Sequence, residues 1–210
     1  MDFLNQFYQN LLDTSVWEFI AVITGIGSVW YARRESILVY PVGIVSVLIY
    51  VFICFNARLY ADAGINLFYF AMSVYGWYHW THKNGHTEMR EISVNTAREQ
   101  ILGVVLTMVS FVLIYGLIWV FYRQDTDYIT SYVPFVDSFI TAIFLIGMWL
   151  MALKRVENWI YWIVGDFIAI PLYFAKGLVF TSLQYVIFLI IAVLGYMEWK
   201  KRWAERHLSA

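Results

Sequence analysis

The chain has 210 residues, of which 61% are hydrophobic, 20% aromatic and only 14% charged, for a net charge of −1. A soluble domain carries roughly 25% charged residues, so the composition excludes an ordinary soluble globular protein and indicates a polytopic membrane protein. The net charge by itself says nothing about partners, because the distribution of charge matters more than the sum; no nucleic-acid partner is expected, and the single cysteine, Cys54, excludes an intrachain disulfide.

In chain order, the first residues, MDFLNQF, lack the basic n-region of a cleavable signal peptide, so none is expected. Residues 2–12 place Phe3, Leu4, Phe7, Leu11 and Leu12 at helical spacing, which predicts a short helix lying at the membrane surface. Seven apolar runs follow, near 17–32, 37–55, 61–80, 100–122, 136–153, 158–175 and 179–199. Each is long enough to cross about 30 Å of hydrocarbon. The expected fold is all-α: one transmembrane transporter domain, residues 1–210, with seven spanning helices.

Basic residues set the expected orientation. With the N-terminus outside, the cytoplasmic side holds Arg33, Arg34, Lys83, Arg90, Arg98, Lys154, Arg155, Lys200, Lys201, Arg202 and Arg206. The outer side keeps Arg58, Arg123 and Lys176, alongside Asp2, Asp13, Asp62, Asp125 and Asp127. The C-terminus is then cytoplasmic, in keeping with an odd number of spans.

The two halves resemble each other. YGWYHW (75–80) matches LGYMEW (194–199), aligning Gly76 with Gly195 and Trp80 with Trp199. RRESILVYPVG (33–43) echoes KRVENWIYWIVG (154–165), each ending in an aromatic stretch and a glycine. The pattern predicts three helices, one linker and three more, with the triplets parallel and a site near midplane between them. The competing reading is that Trp and Tyr recur at helix ends because they anchor at the interface.

Three predicted spans carry polar stripes. On the sixth, Trp159, Trp162, Asp166 and Tyr173 are spaced three, four and seven residues apart, within roughly 60° of one another on a helical wheel. Asp166 falls near mid-depth, where burying a charge costs about 2.5–3.5 kcal/mol on insertion scales. Such an acid marks a ligand or ion pathway, or else a structural hydrogen bond between helices. Pro171 frees the carbonyl one turn before it, which suits a polar cavity better than a lipid face. Trp159 and Trp162 follow Lys154 and Arg155 closely, so interfacial anchoring is their alternative role. On the third span the stripe is Asn66, Tyr69, Ser73, Gly76 and Trp80; on the seventh it is Thr181, Gln184, Phe188, Gly195 and Glu198. Polar groups of this kind also glue helices together, and Gly76 suits close packing. Gln184 is expected in the cavity and Glu198 at the cytoplasmic interface. Aromatic faces attract delocalised cations, and one carboxylate adds complementary charge, so the inferred ligand is a small, flat, cationic or polar heterocycle.

Other chemistries lack their residues. His79, His82 and His86 are read as a solvated cytoplasmic loop, and no metal site or cofactor is expected. Without a P-loop, HExxH or GxSxG motif, no catalytic set is expected and the chain is not read as an enzyme. A retinal protein needs a lysine buried in its last span, whereas Lys200 and Lys201 lie beyond it.

At VENWIYW (156–162), KGL (176–178), SLQY (182–185) and YGWYHW (75–80) the chain resembles the PnuC family of bacterial vitamin transporters, over nearly its whole length. The resemblance implies a multi-pass protein of the bacterial cell (inner) membrane that can assemble as a homotrimer. It implies uptake of nicotinamide riboside by facilitated diffusion, with trapping in the cytoplasm by phosphorylation. It also implies substrate contacts from Trp159 and Trp162 and from positions 66, 73, 166 and 184. Nicotinamide riboside carriers of this family tend to have Gln near 66, Asn near 73 and Asn near 166, where this chain has Asn66, Ser73 and Asp166. Thiamine, also a cation, is therefore the alternative substrate. A structural or signalling membrane protein and a small-sugar carrier are the remaining readings.

Overall fold

The structure, a computed structural model, describes residues 15–57, 59–82 and 91–208. The predicted surface helix at 2–12, Arg58, Lys83, His86 and Arg90 lie outside the described residues. Seven long helices run in order: α1 (Val16–Arg33), α2 (Val39–Asn56), α3 (Tyr60–Thr81), α4 (Ala97–Tyr122), α5 (Val133–Ala152), α6 (Asn158–Ala175) and α7 (Val179–Leu208). A single helical turn, Thr126–Thr130, joins α4 to α5.

Local chemistry sets the starts. Ser15 Oγ accepts the Glu18 N–H at 3.1 Å, and Thr96 and Glu99 form a reciprocal capping box at the head of α4. α7 continues past the apolar run to Leu208, because its polar tail is held by pairs one turn apart, Glu198 to Arg202 at 2.5 Å and Lys201 to Glu205 at 3.7 Å.

Five helices, α2, α4, α5, α6 and α7, are long and apolar enough to cross a membrane. α1 and α3 are not, against the seven expected. They carry Glu18 and Ser28, and Asp62, Asn66 and Ser73, all of which face a central cavity. The six helices other than α4 pack in a closed ring: α1 on α2, α2 on α3, α3 on α5, α5 on α6, α6 on α7, and α7 back on α1. α4 packs mainly on the outside of α5, leaving Val112, Leu113 and Phe121 exposed.

One end of the ring is sealed. Glu35 in the α1–α2 turn and Lys154 in the α5–α6 turn both have positive φ, 58° and 57°. Non-glycine residues avoid this region, at a cost of roughly 1–2 kcal/mol each. Their turns carry matching hydrogen bonds: Glu35 N–H to Ala32 O and Lys154 N–H to Met151 O at 2.9 Å, then Ser36 N–H to Tyr31 O and Arg155 N–H to Leu150 O at 3.0 Å. The two side chains meet as an ion pair at 2.9 Å, only 11% and 7% exposed, which offsets the strain. Arg202 and Arg206 also approach Glu35, at 3.4 and 3.5 Å.

Behind this pair, Trp80 Nε1–H donates to Ala152 O at 3.2 Å, and Trp199 Nε1–H donates to Ala32 O and Arg33 O at 3.1 Å. Tyr40 stands edge-on to Trp80 at 5.1 Å and Trp159 edge-on to Trp199 at 5.6 Å. Both rings need glycine opposite. A Cβ on Gly76 would lie 2.5 Å from the Tyr40 ring, and one on Gly195 would lie 2.7 Å from that of Trp159.

Equivalent atoms in these contacts are 119 residues apart, as Glu35 and Lys154 are. That spacing sets Gly43 opposite Trp162, not opposite Gly165 as the echo of the two sequences suggested. The turn hydrogen bonds, rather than the shared glycine, set the register.

Candidate substrate-binding site

The ring encloses a cavity of about 450 Å³, within the size range of small-molecule sites. All six ring helices line it and α4 contributes nothing among the described residues. Each of Asn66, Tyr69, Ser73, Trp159, Trp162, Asp166, Tyr173 and Gln184 contributes to the lining. They converge because α3, α6 and α7 turn their polar stripes toward the ring axis. From Trp159 to Tyr173 the α6 stripe extends about 21 Å at 1.5 Å per residue, so the cavity runs through much of the bundle.

Asp166 is 2% exposed. Among the described residues no hydrogen bond or ion pair reaches its carboxylate, and it stands on the cavity wall. Ser73 is buried, and Asn66 uses its amide N–H to bond the Asp62 carbonyl at 2.9 Å. Trp159 is fully buried at the sealed end against Gly195, so it is no interfacial anchor. Glu198 pairs with Arg33 at 2.9 Å and with Arg202, at the same end.

Four rings form a stacked series along one wall. Trp162 stacks on Phe144 at 5.1 Å and 30°, Phe144 on Tyr185 at 6.1 Å and 8°, and Tyr185 on Tyr173 at 5.1 Å and 21°. The series leads from one turn before Asp166 to the open mouth. There Glu18, Asp62 and Asp137 bring three carboxylates to the lining, with Lys176 beside Asp137 at 2.6 Å. Tyr128, in the one-turn helix nearby, reports the same field. Burial first, then the charges of Asp137, Asp62 and Asp125 among its neighbours, push its phenol up to about 12.

Sequence reasoning did not single out Phe144, Tyr185, Tyr40 or Tyr50, which also line the cavity. α2 and α5 do carry Ser46, Asp137 and Thr141 on the cavity side, but Tyr40, Tyr50 and Phe144 stand among apolar residues, where periodicity had little contrast to read. Tyr185 adjoins Gln184, and its value lies in a stack between helices that spacing cannot reveal. His79 is a correction: it is buried in the last turn of α3, 5.3 Å from the Tyr75 ring, not in a solvated loop. The Trp80 anchor after it keeps that turn inside the bundle. His82 does cap α3, stacked on Tyr78 at 3.8 Å.

Membrane-type helices around an aromatic cavity that holds an unpaired carboxylate define a polytopic carrier of small molecules. The model of the family described as nicotinamide mononucleotide transporter matches residues 15–201. The chain belongs to this family, the PnuC family of membrane vitamin transporters. It is 27% identical to the nicotinamide riboside transporter PnuC of Escherichia coli, over 92% of this chain and 89% of that one. It is 26% identical to the riboflavin/roseoflavin transporter RibM of Streptomyces davaonensis, over 95% and 92%. Its fold is that of a crystal structure of the vitamin B3 transporter PnuC, with a TM-score of 0.67 at 23% identity, covering 97% of this chain and 90% of that one.

Proposed function

We propose that the chain carries nicotinamide riboside into a bacterial cell by facilitated diffusion, with trapping by phosphorylation in the cytoplasm. The observation that carries this reading is Asp166: a carboxylate 2% exposed, on the cavity wall, with no partner among the described residues. A carboxyl buried without a partner is costly to ionise, and a cationic ligand supplies the charge that would repay it. Nicotinamide riboside is a flat pyridinium cation with a polar sugar, matched by stacking rings at Trp162 and Phe144 and by amides at Asn66 and Gln184.

The relatives are named for nicotinamide riboside and for riboflavin/roseoflavin. Riboflavin is neutral and gives Asp166 no charge to meet, so the cation is favoured. Thiamine is the second reading, favoured by the acid at 166 itself, which can pair with the thiazolium or aminopyrimidine.

The same proposal takes all seven long helices as spans in a three-one-three order, with the N-terminus outside and α4 as linker. The closed ring and the matched turns of Glu35 and Lys154 support it, as does the basic cluster of Arg33, Arg34, Arg202 and Arg206 at the sealed end. A homotrimer in the inner membrane is proposed from the family resemblance. Calorimetry on purified protein tests the substrate: micromolar binding of nicotinamide riboside is expected, and binding of neither it nor thiamine at millimolar levels defeats the reading.

A further inference from the structure

The Lys-Gly turn between α6 and α7 has a role beyond connection. Gly177 takes φ 77° and closes the turn, with the Leu178 N–H bonded to Tyr173 O at 2.9 Å. This folds Lys176 back over the last turn of α6. Its ammonium lies 5.1 Å from the centroid of the Tyr173 ring and donates to Asp137 Oδ2 at 2.6 Å. Its side chain is 25% exposed and that of Asp137 21%. An ammonium between an aromatic face and a carboxylate is a filled cation site. The occupant here is tethered to the protein.

Three further observations bear on that site. It lies on the cavity lining, at the mouth end of the stacked series that leads to Asp166. Glu18 and Asp62 share the mouth, and no ion pair among the described residues neutralises either one. The charge of Lys176 also reaches Asp62, across the mouth on α3. A cation arriving from outside therefore meets a site that binds its charge, and Lys176 has a second carboxylate toward which to move.

We propose that Tyr173 and Asp137 form an outer subsite for a flat organic cation, and that Lys176 is its tethered occupant, displaced as the substrate passes. Lys176 is then a specificity residue. Only a ligand carrying positive charge repays the exchange; a neutral one of the same shape leaves the lysine in place and gains nothing at the mouth. The inference rests on the reading of the substrate as a cation.

The test uses two probes, nicotinamide riboside and its neutral dihydropyridine form, measured by calorimetry on the full-length protein in detergent. Lys176→Gln empties the subsite, so the cation is expected to bind about three to ten times more tightly while the neutral form is unchanged. The gain persists at about 1 M salt, where screening acts beyond roughly 3 Å, because the exchange occurs at contact. Asp137→Asn acts in the opposite direction and weakens the cation alone, which decides the question if Lys176→Gln fails to fold. An unchanged ratio of cation to neutral affinity in a folded variant overturns the proposal, as does a gain that vanishes in high salt. If wild-type protein binds neither probe, the cation-carrier reading fails instead, and the two failures are distinct.

Discussion

Asp166→Asn isolates the charge in the cavity with almost no change of shape. The carboxylate is 2% exposed and unpaired among the described residues, so the ligand-free protein bears its desolvation cost alone. A cation docked against it at about 4 Å, in an effective dielectric of about 20, gains roughly 4 kcal/mol of Coulomb energy. Stripping water from the ligand consumes part of that, and asparagine keeps one hydrogen bond. A difference of about 1.4–2.8 kcal/mol remains, or 10- to 100-fold in Kd. The expected calorimetric result is that the variant loses this much affinity for nicotinamide riboside and at least as much for thiamine, while its neutral dihydro form changes by less than about twofold. Equal losses for charged and neutral ligands would mean that Asp166 acts through shape and not through charge.

Trp162→Ala removes half of the Trp162–Phe144 stack and lowers nicotinamide riboside affinity by about tenfold or more, with folding intact by circular dichroism. Trp159→Ala instead empties a fully buried site and costs about 3–5 kcal/mol of stability, read as a fall in melting temperature. Glu35→Ala strands a lysine that is 7% exposed, with the Trp80 face 4.6 Å away as its remaining partner among the described residues. It costs about 3–5 kcal/mol by denaturant melting, and more than Lys154→Ala, which leaves Glu35 with Arg202 and Arg206. Tyr40→Phe deletes a buried hydroxyl that has no hydrogen-bond partner among the described residues, so thermal stability holds or rises.

Much of the site was legible because polar residues at helical spacing stand out in apolar helices. Asn66, Tyr69 and Ser73 share a face of α3 as Trp162 and Asp166 share one of α6, and helical periodicity alone brings each set together. Periodicity could not identify the opposing walls. Tyr50 and Phe144 sit in stretches of mostly apolar residues, and only packing selects which face turns inward. The contacts of Lys176 were hidden for another reason: KGL (176–178) marks a turn, but nothing in the sequence shows that φ 77° at Gly177 folds the lysine onto Tyr173. α1 and α3 show the reverse effect. The polar groups that make them cavity walls lower their apolarity, so a feature of the site weakens the sign of a membrane span.

The proposed selection of a cationic vitamin precursor rests on a buried carboxylate, Asp166, unpaired among the described residues. Competition binding on the purified protein tests it most directly, with labelled nicotinamide riboside displaced in turn by thiamine, riboflavin and unlabelled nicotinamide riboside. Displacement by the unlabelled cation is expected at micromolar concentration, with weaker or comparable displacement by thiamine and none by riboflavin. Displacement by riboflavin as effective as that by the cations would contradict it.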